Sequence, residues 1–94
     1  MGLCRRAGKL VIGFDAVVQE MEAPKSKAAG IILAADVSPK TEKEIRFQAD
    51  KHGVEIAAAI FSMEDAKAAL GKRAGVFLIT DAGLYSSIKK HISD

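Results

Sequence analysis

The chain has 94 residues, of which 49% are hydrophobic and 28% charged, a mixture that can bury a core and lies outside the low-hydrophobicity range of disordered chains. That length accommodates a single domain, residues 1–94, and excludes two. Fourteen basic against twelve acidic side chains leave a net charge of +2, too even to assign a partner, while one cysteine, Cys4, excludes an internal disulfide and two histidines, His52 and His91, offer no metal-ligand spacing.

At the N-terminus Arg5, Arg6 and Lys9 are not followed by a long apolar run, so no secretory signal is expected. The longest uncharged runs, residues 28–35 and 56–63, are far shorter than the roughly 18 residues that cross a bilayer. A cytoplasmic protein with no membrane partner is expected. Leu10, Val11 and Ile12 read as a first short strand. Phe14, Val17, Val18 and Met21 recur at i, i+3, i+4 and i+7, the stripe of an amphipathic helix. It should end before Pro24, whose ring removes a donor and pushes Ala23 out of the helical region.

Residues 30–35 read GIILAA, an apolar run suited to a central strand covered on both faces. Ser38 and Pro39 open a helix over about residues 39–52: a serine hydroxyl accepts an orphan amide, and proline loses nothing at the first position. Ile45, Gln48, Ala49 and His52 share one of its faces, and Gly53 suits a left-handed stop. Residues 55–61 form the next strand. Ser62 and Asp65 have the spacing of a reciprocal cap for a short helix that runs to Leu70 and stops at Gly71. Residues 76–80 form the last strand, and Leu84, Ile88 and Ile92 line a terminal helix with Lys89, Lys90 and His91 at its negative end. The product is an α/β fold, a three-layer α-β-α sandwich. Strands joined by single helices are expected to pair in parallel, with ligands collecting at strand C-termini and helix N-termini.

Enzymatic motifs fail on inspection. The sequence holds no glycine-rich dinucleotide fingerprint, no nucleophile elbow and no zinc-protease helix, and Gly71-Lys72 runs into Arg73 without the earlier glycine of a phosphate loop. Cys4 lies beside two arginines that favour a thiolate, but no base is paired with it. Asp36 and Asp81 each follow a strand, where an acid serves a metal or a proton transfer, or simply caps the next turn. His52 reads as a half-buried histidine at a helix end. No enzyme activity, metal or cofactor is expected. Two basic spots remain: residues 1–14, with three cations and no acid, and the Lys72-Arg73 pair. Hydration of a small soluble domain is the ordinary account of such charges. Gly13, opening a helix after a strand, lets another backbone approach and offers helix-start amides with Phe14 and Asp15. Asp15 accepts from a guanine edge or merely complements the helix dipole.

The run Gly8-Lys9-Leu10-Val11-Ile12-Gly13, followed by GIILAADVSP from Gly30 to Pro39, then Gly71-Lys72-Arg73 and the strand from Val76 to Asp81, resembles the L7Ae/L30e ribosomal-protein family, in particular its small bacterial members. The resemblance covers nearly the whole chain. It implies an α-β-α sandwich around a mixed, four-stranded sheet and non-catalytic binding of kink-turn RNA, associated with the ribosome or translation. Gly13 matches the glycine that opens the family's RNA-reading run. The asparagine, glutamate and lysine positions after it hold Asp15, Ala16 and Gln19 here. Ala16 cannot accept a guanine hydrogen bond, and Gln19 keeps donors but loses the charge; each lost specific contact costs about 1–3 kcal/mol. The second RNA-touching element corresponds to a short basic loop, Lys72, Arg73, Ala74 and Gly75. The expected site comprises Lys9, Gly13, Phe14, Asp15, Gln19 and Asp36 together with that loop, facing structured RNA with modest sequence preference. The alternative, favoured by Ala16 and Gln19, is a protein-interaction or self-associating module of the same fold.

Overall fold

The structure, a computed structural model, describes residues 8–23, 27–71 and 73–93, the last three without their side chains. Cys4, Arg5, Arg6, Pro24 and Lys72 lie outside the described residues. The elements run β1 (Leu10–Ile12), α1 (Phe14–Glu22), β2 (Gly30–Leu33), α2 (Pro39–His52), β3 (Ile56–Ala58), α3 (Met63–Leu70), β4 (Val76–Ile79) and α4 (Ala82–Ser93).

Local chemistry sets the helix ends. Ser38 Oγ accepts the Thr41 amide at 3.2 Å, Pro39 takes the first position of α2, and Gly53 closes that helix at φ 68°. The Ser62 and Asp65 side chains each accept the other's backbone amide, at 3.1 and 3.0 Å, as their spacing predicts. Ala23, before Pro24, sits at ψ 138°, extended as a pre-proline residue must be. The strands are shorter than their apolar runs. β2 ends at Leu33: the Ala34 amide still donates to the Gly75 carbonyl, one step beyond the Leu33–Val76 pair, but the Ala35 amide leaves the ladder for the Phe61 carbonyl.

The sheet order is β1-β4-β2-β3, with β4 antiparallel to both β1 and β2 and β2 parallel to β3. The fully parallel pairing expected from alternation is therefore corrected, and the mixed sheet implied by the resemblance is the one found. Its cause is geometric. β3 and β2 finish together, Ala58 beside Leu33, and β4 begins at that same end, Val76 opposite Leu33. After β3 the chain passes through α3 and enters β4 at the end of the sheet where β3 finished, so β4 runs against its neighbours.

Alternate strand residues feed two cores, the outcome expected of the three-layer sandwich. On one face Ile31, Leu33, Val76 and Leu78 pack with Val17 and Met21 of α1 and Ile45 and Ala49 of α2. On the other Ile32, Phe77 and Ile79 pack with Ala66 and Leu70 of α3 and Tyr85 of α4. Both faces being covered, every residue of β2 and β4 is buried. No helix among the described residues is long and apolar enough to cross a membrane.

Candidate functional site

Gly13 stands where β1 ends and β4 begins. Its amide donates to the Val76 carbonyl at 2.9 Å, extending the ladder by one step, and its carbonyl accepts the Val17 amide at 3.0 Å as the first bond of α1. Joining a strand end to a helix start within one residue requires φ 101° and ψ 149°, a region that only glycine enters without strain. No side chain caps α1, so its opening amides have no intrahelical acceptor.

Beside Gly13 and Phe14 lies a groove of about 310 Å³. One wall is the approach to β4, formed by Arg73, Ala74 and Gly75. The other is the turn from β2 into α2, with Val37, Ser38 and Thr41, and Met63 and Val76 complete the lining. Gly75 is held tightly there: a Cβ on it would lie 3.1 Å from Val37 Cγ2 and 3.2 Å from Met63 Sδ. The rim carries two hydroxyls, Ser38 Oγ donating to Thr41 Oγ1 at 2.9 Å.

The groove brings together Gly13, Phe14, Arg73, Ala74 and Gly75 of the residues expected from sequence. Asp15 and Gln19 are exposed on α1 and do not line it. Lys9 lies at the opposite end of β1, where its carbonyl accepts the Thr80 amide at 3.0 Å. The Asp36 carboxylate accepts the Met63 amide at 2.8 Å, tying the end of β2 to the start of α3. Asp81 likewise accepts the Leu84 amide at 2.9 Å. Both acids are thus engaged as helix-start acceptors. Among the described residues no three histidine, cysteine or acidic side chains gather as a metal site.

Sequence reasoning missed the far wall of the groove and the company Arg73 keeps. Thr41 was not singled out; Ser38 was legible with Pro39 as a helix start, and its position after a strand was the available signal for a ligand site. Glu64 gave none. Its Oε1 accepts from Arg73 Nε at 2.7 Å across nine residues, both side chains more than half exposed, so the loop presents a cation with a carboxylate attached. The groups with displaced pKa values are at the other end of the sheet. Lys89 donates to the Glu55 carboxylate and holds it below the usual range, while burial first, and the Glu55 charge second, push Tyr85 up to about 12.

Two solved structures share this architecture at 22% and 17% identity. A Bacillus halodurans protein of unknown function superposes with TM-score 0.85, covering 99% of this chain and 92% of its own. The Giardia lamblia 15.5 kD RNA binding protein superposes with TM-score 0.74, covering 98% and 80%. In sequence, the Enterococcus faecium RNA-binding protein YlxQ is 29% identical over 92 residues, 98% of this chain and 86% of that protein. The model of the ribosomal protein L7Ae/L30e/S12e/Gadd45 family matches residues 1–88, and with the segments that carried the resemblance now joined in a mixed four-stranded sandwich, the chain belongs to that family.

Proposed function

We propose that this is a non-catalytic RNA-binding protein that holds structured RNA, of kink-turn or ribosomal-RNA type, at the Gly13 end of the sheet, and that it works in the cytoplasm beside the translation machinery. The observation that carries the reading is the groove itself. Two backbone segments, at Gly13 and at Gly75, line one depression of about 310 Å³ with hydroxyls on its rim and an arginine at its mouth. Proteins read folded RNA mainly through bases splayed out of the helix, which stack on aromatic or guanidinium planes and hydrogen-bond at their edges. Phe14 and Arg73 supply the planes, and Ser38 and Thr41 the hydrogen-bonding groups. A relative named as an RNA-binding protein supports the same reading. Exposed Asp15 and Gln19 flank the groove on α1 as further contacts, whereas Lys9, at the far end of β1, is left for backbone contact only if the RNA extends that way.

The test is a filter-binding titration against a kink-turn stem, a plain duplex and a single strand across a range of salt. The kink-turn stem should bind best, with a shallow slope, since log K falls by about 0.7 to 0.9 per neutralised phosphate. Absence of binding to all three sinks the proposal. The second reading, a self-associating module, is favoured by Ile60, an isoleucine 83% exposed after β3. Sedimentation that reports self-association and no RNA complex near physiological salt would select it.

A further inference from the structure

Phe47 lies mid-way along α2 and is 67% exposed, while Ile45 and Ala49 of the same helix are buried in the core. The ring does not stand alone. A depression of about 630 Å³ runs along this face of α2, lined by Lys40, Lys43 and Phe47 with Glu44 and Gln48, and it reaches Phe14. Phe14 also lines the groove at Gly13, so the two depressions meet at one side chain. Positions 40, 43, 44 and 47 follow the i, i+3, i+4, i+7 rule and share one helix face about 10 Å long.

The charges of this face are uneven. Glu42 and Arg46 satisfy each other at 2.8 Å, whereas Lys40 and Lys43 have no ion-pair partner among the described residues. Glu44 is the one carboxylate in the depression, set against those two ammonium groups. An apolar protein partner that dried the ring would have to strip water from both lysines, at a cost nothing here offsets. A nucleobase flanked by phosphates fits the same pattern without that cost: the base stacks on the ring and the anions meet the cations.

We propose that RNA leaving the Gly13 groove continues across α2 as a single strand, with a base stacked on Phe47 and its flanking phosphates held by Lys40 and Lys43. This rests on the RNA-binding reading of the groove. The chain has no tryptophan, so Phe47→Trp places a unique fluorophore at the stacking position. Its emission should be quenched by a kink-turn stem bearing a single-stranded extension and unaffected by the same stem trimmed flush. Phe47→Ala should weaken binding of the extended RNA about tenfold and leave the trimmed stem unchanged. Lys40→Gln with Lys43→Gln should lower the salt slope for the extended RNA by about 0.7 per lysine. Because the ring is exposed, thermal melts of these variants should overlay the parent. The inference is overturned if Phe47→Ala affects both RNAs equally or neither, or if it alters only self-association in sedimentation; the groove reading survives any of these. Failure of both RNAs to bind the parent protein removes the two together.

Discussion

A methyl group added to Gly30 would lie 2.2 Å from Cε1 and Cζ of Tyr85. The glycine is therefore where α4 gains its closest approach to the sheet, its missing side chain being the space the aromatic ring fills. Tyr85 is 4% exposed and packs with Ile32, Leu70 and Ile79, so it cannot swing clear. Gly30→Ala should destabilise the fold by about 2 kcal/mol, the usual scale of overpacking, and lower the melting temperature by roughly 10 °C. Thermal circular dichroism measures this. A parent-like melt would mean that α4 moves off the sheet freely.

Tyr85 also sets an alkaline limit. Burial first, and then the charge of the neighbouring Glu55 carboxylate, pushes its pKa up to about 12 from an ordinary value of 10. A group whose folded pKa is raised stabilises the fold fully below its unfolded value and loses that contribution as pH climbs through the folded one. Stability should hold to about pH 10 and fall between pH 10 and 12. Tyr85 is the single tyrosine of a chain without tryptophan, so its ultraviolet titration reports the ionisation directly. Tyr85→Phe should abolish this loss, since it removes the titrating hydroxyl.

Gly13→Ala meets a different obstacle. A Cβ at Gly13 has nothing within 4 Å, so the space is open, but φ 101° strains any L side chain through its own backbone. We expect a loss of about 1–3 kcal/mol in stability, with the start of α1 displaced. RNA affinity should fall further than stability does, because the displaced turn carries Phe14. Denaturant titration and filter binding on one preparation separate the two effects. Equal affinity in parent and variant would remove Gly13 from the interface.

If the loop holds RNA as proposed, Glu64 competes with that RNA for Arg73. The pair is exposed and joined at 2.7 Å, a class of contact that contributes about 1 kcal/mol at most. Glu64→Gln should leave the melting temperature unchanged while tightening RNA binding up to about fivefold and steepening its salt dependence, since a free guanidinium gains a phosphate. Conversely, Lys72→Glu with Arg73→Glu should weaken binding and flatten the slope. Affinity indifferent to both changes would take this loop out of the site.

What the sequence disclosed was local. α2 was bounded at both ends because Ser38, Pro39 and Gly53 each act on the nearest peptide groups. The Ser62–Asp65 reciprocal cap was legible for the same reason. Strand ends were overrun, since an alanine such as Ala35 stays apolar after its amide has left the ladder. The place of β4 between β1 and β2 was hidden from periodicity, which says which side chains are buried but not which strand neighbours which. Asp36, expected in the site from sequence, accepts an amide 27 residues away, a contact the sequence did not disclose. Glu64 beside Arg73, and Tyr85 over Gly30, are likewise contacts between distant parts of the chain, so the groove was half visible: its glycine and its loop, not its opposite wall.

The strand that holds the sheet's two halves together is also the last one the chain supplies. Until residues 76–79 exist, β1 has no partner and β2 has only β3. A polypeptide emerging from synthesis thus carries two exposed strand edges through most of its length, and closes them in one late event. Arrest or cleavage upstream of Val76 leaves a fragment with sticky borders, while release past Ile79 seals it.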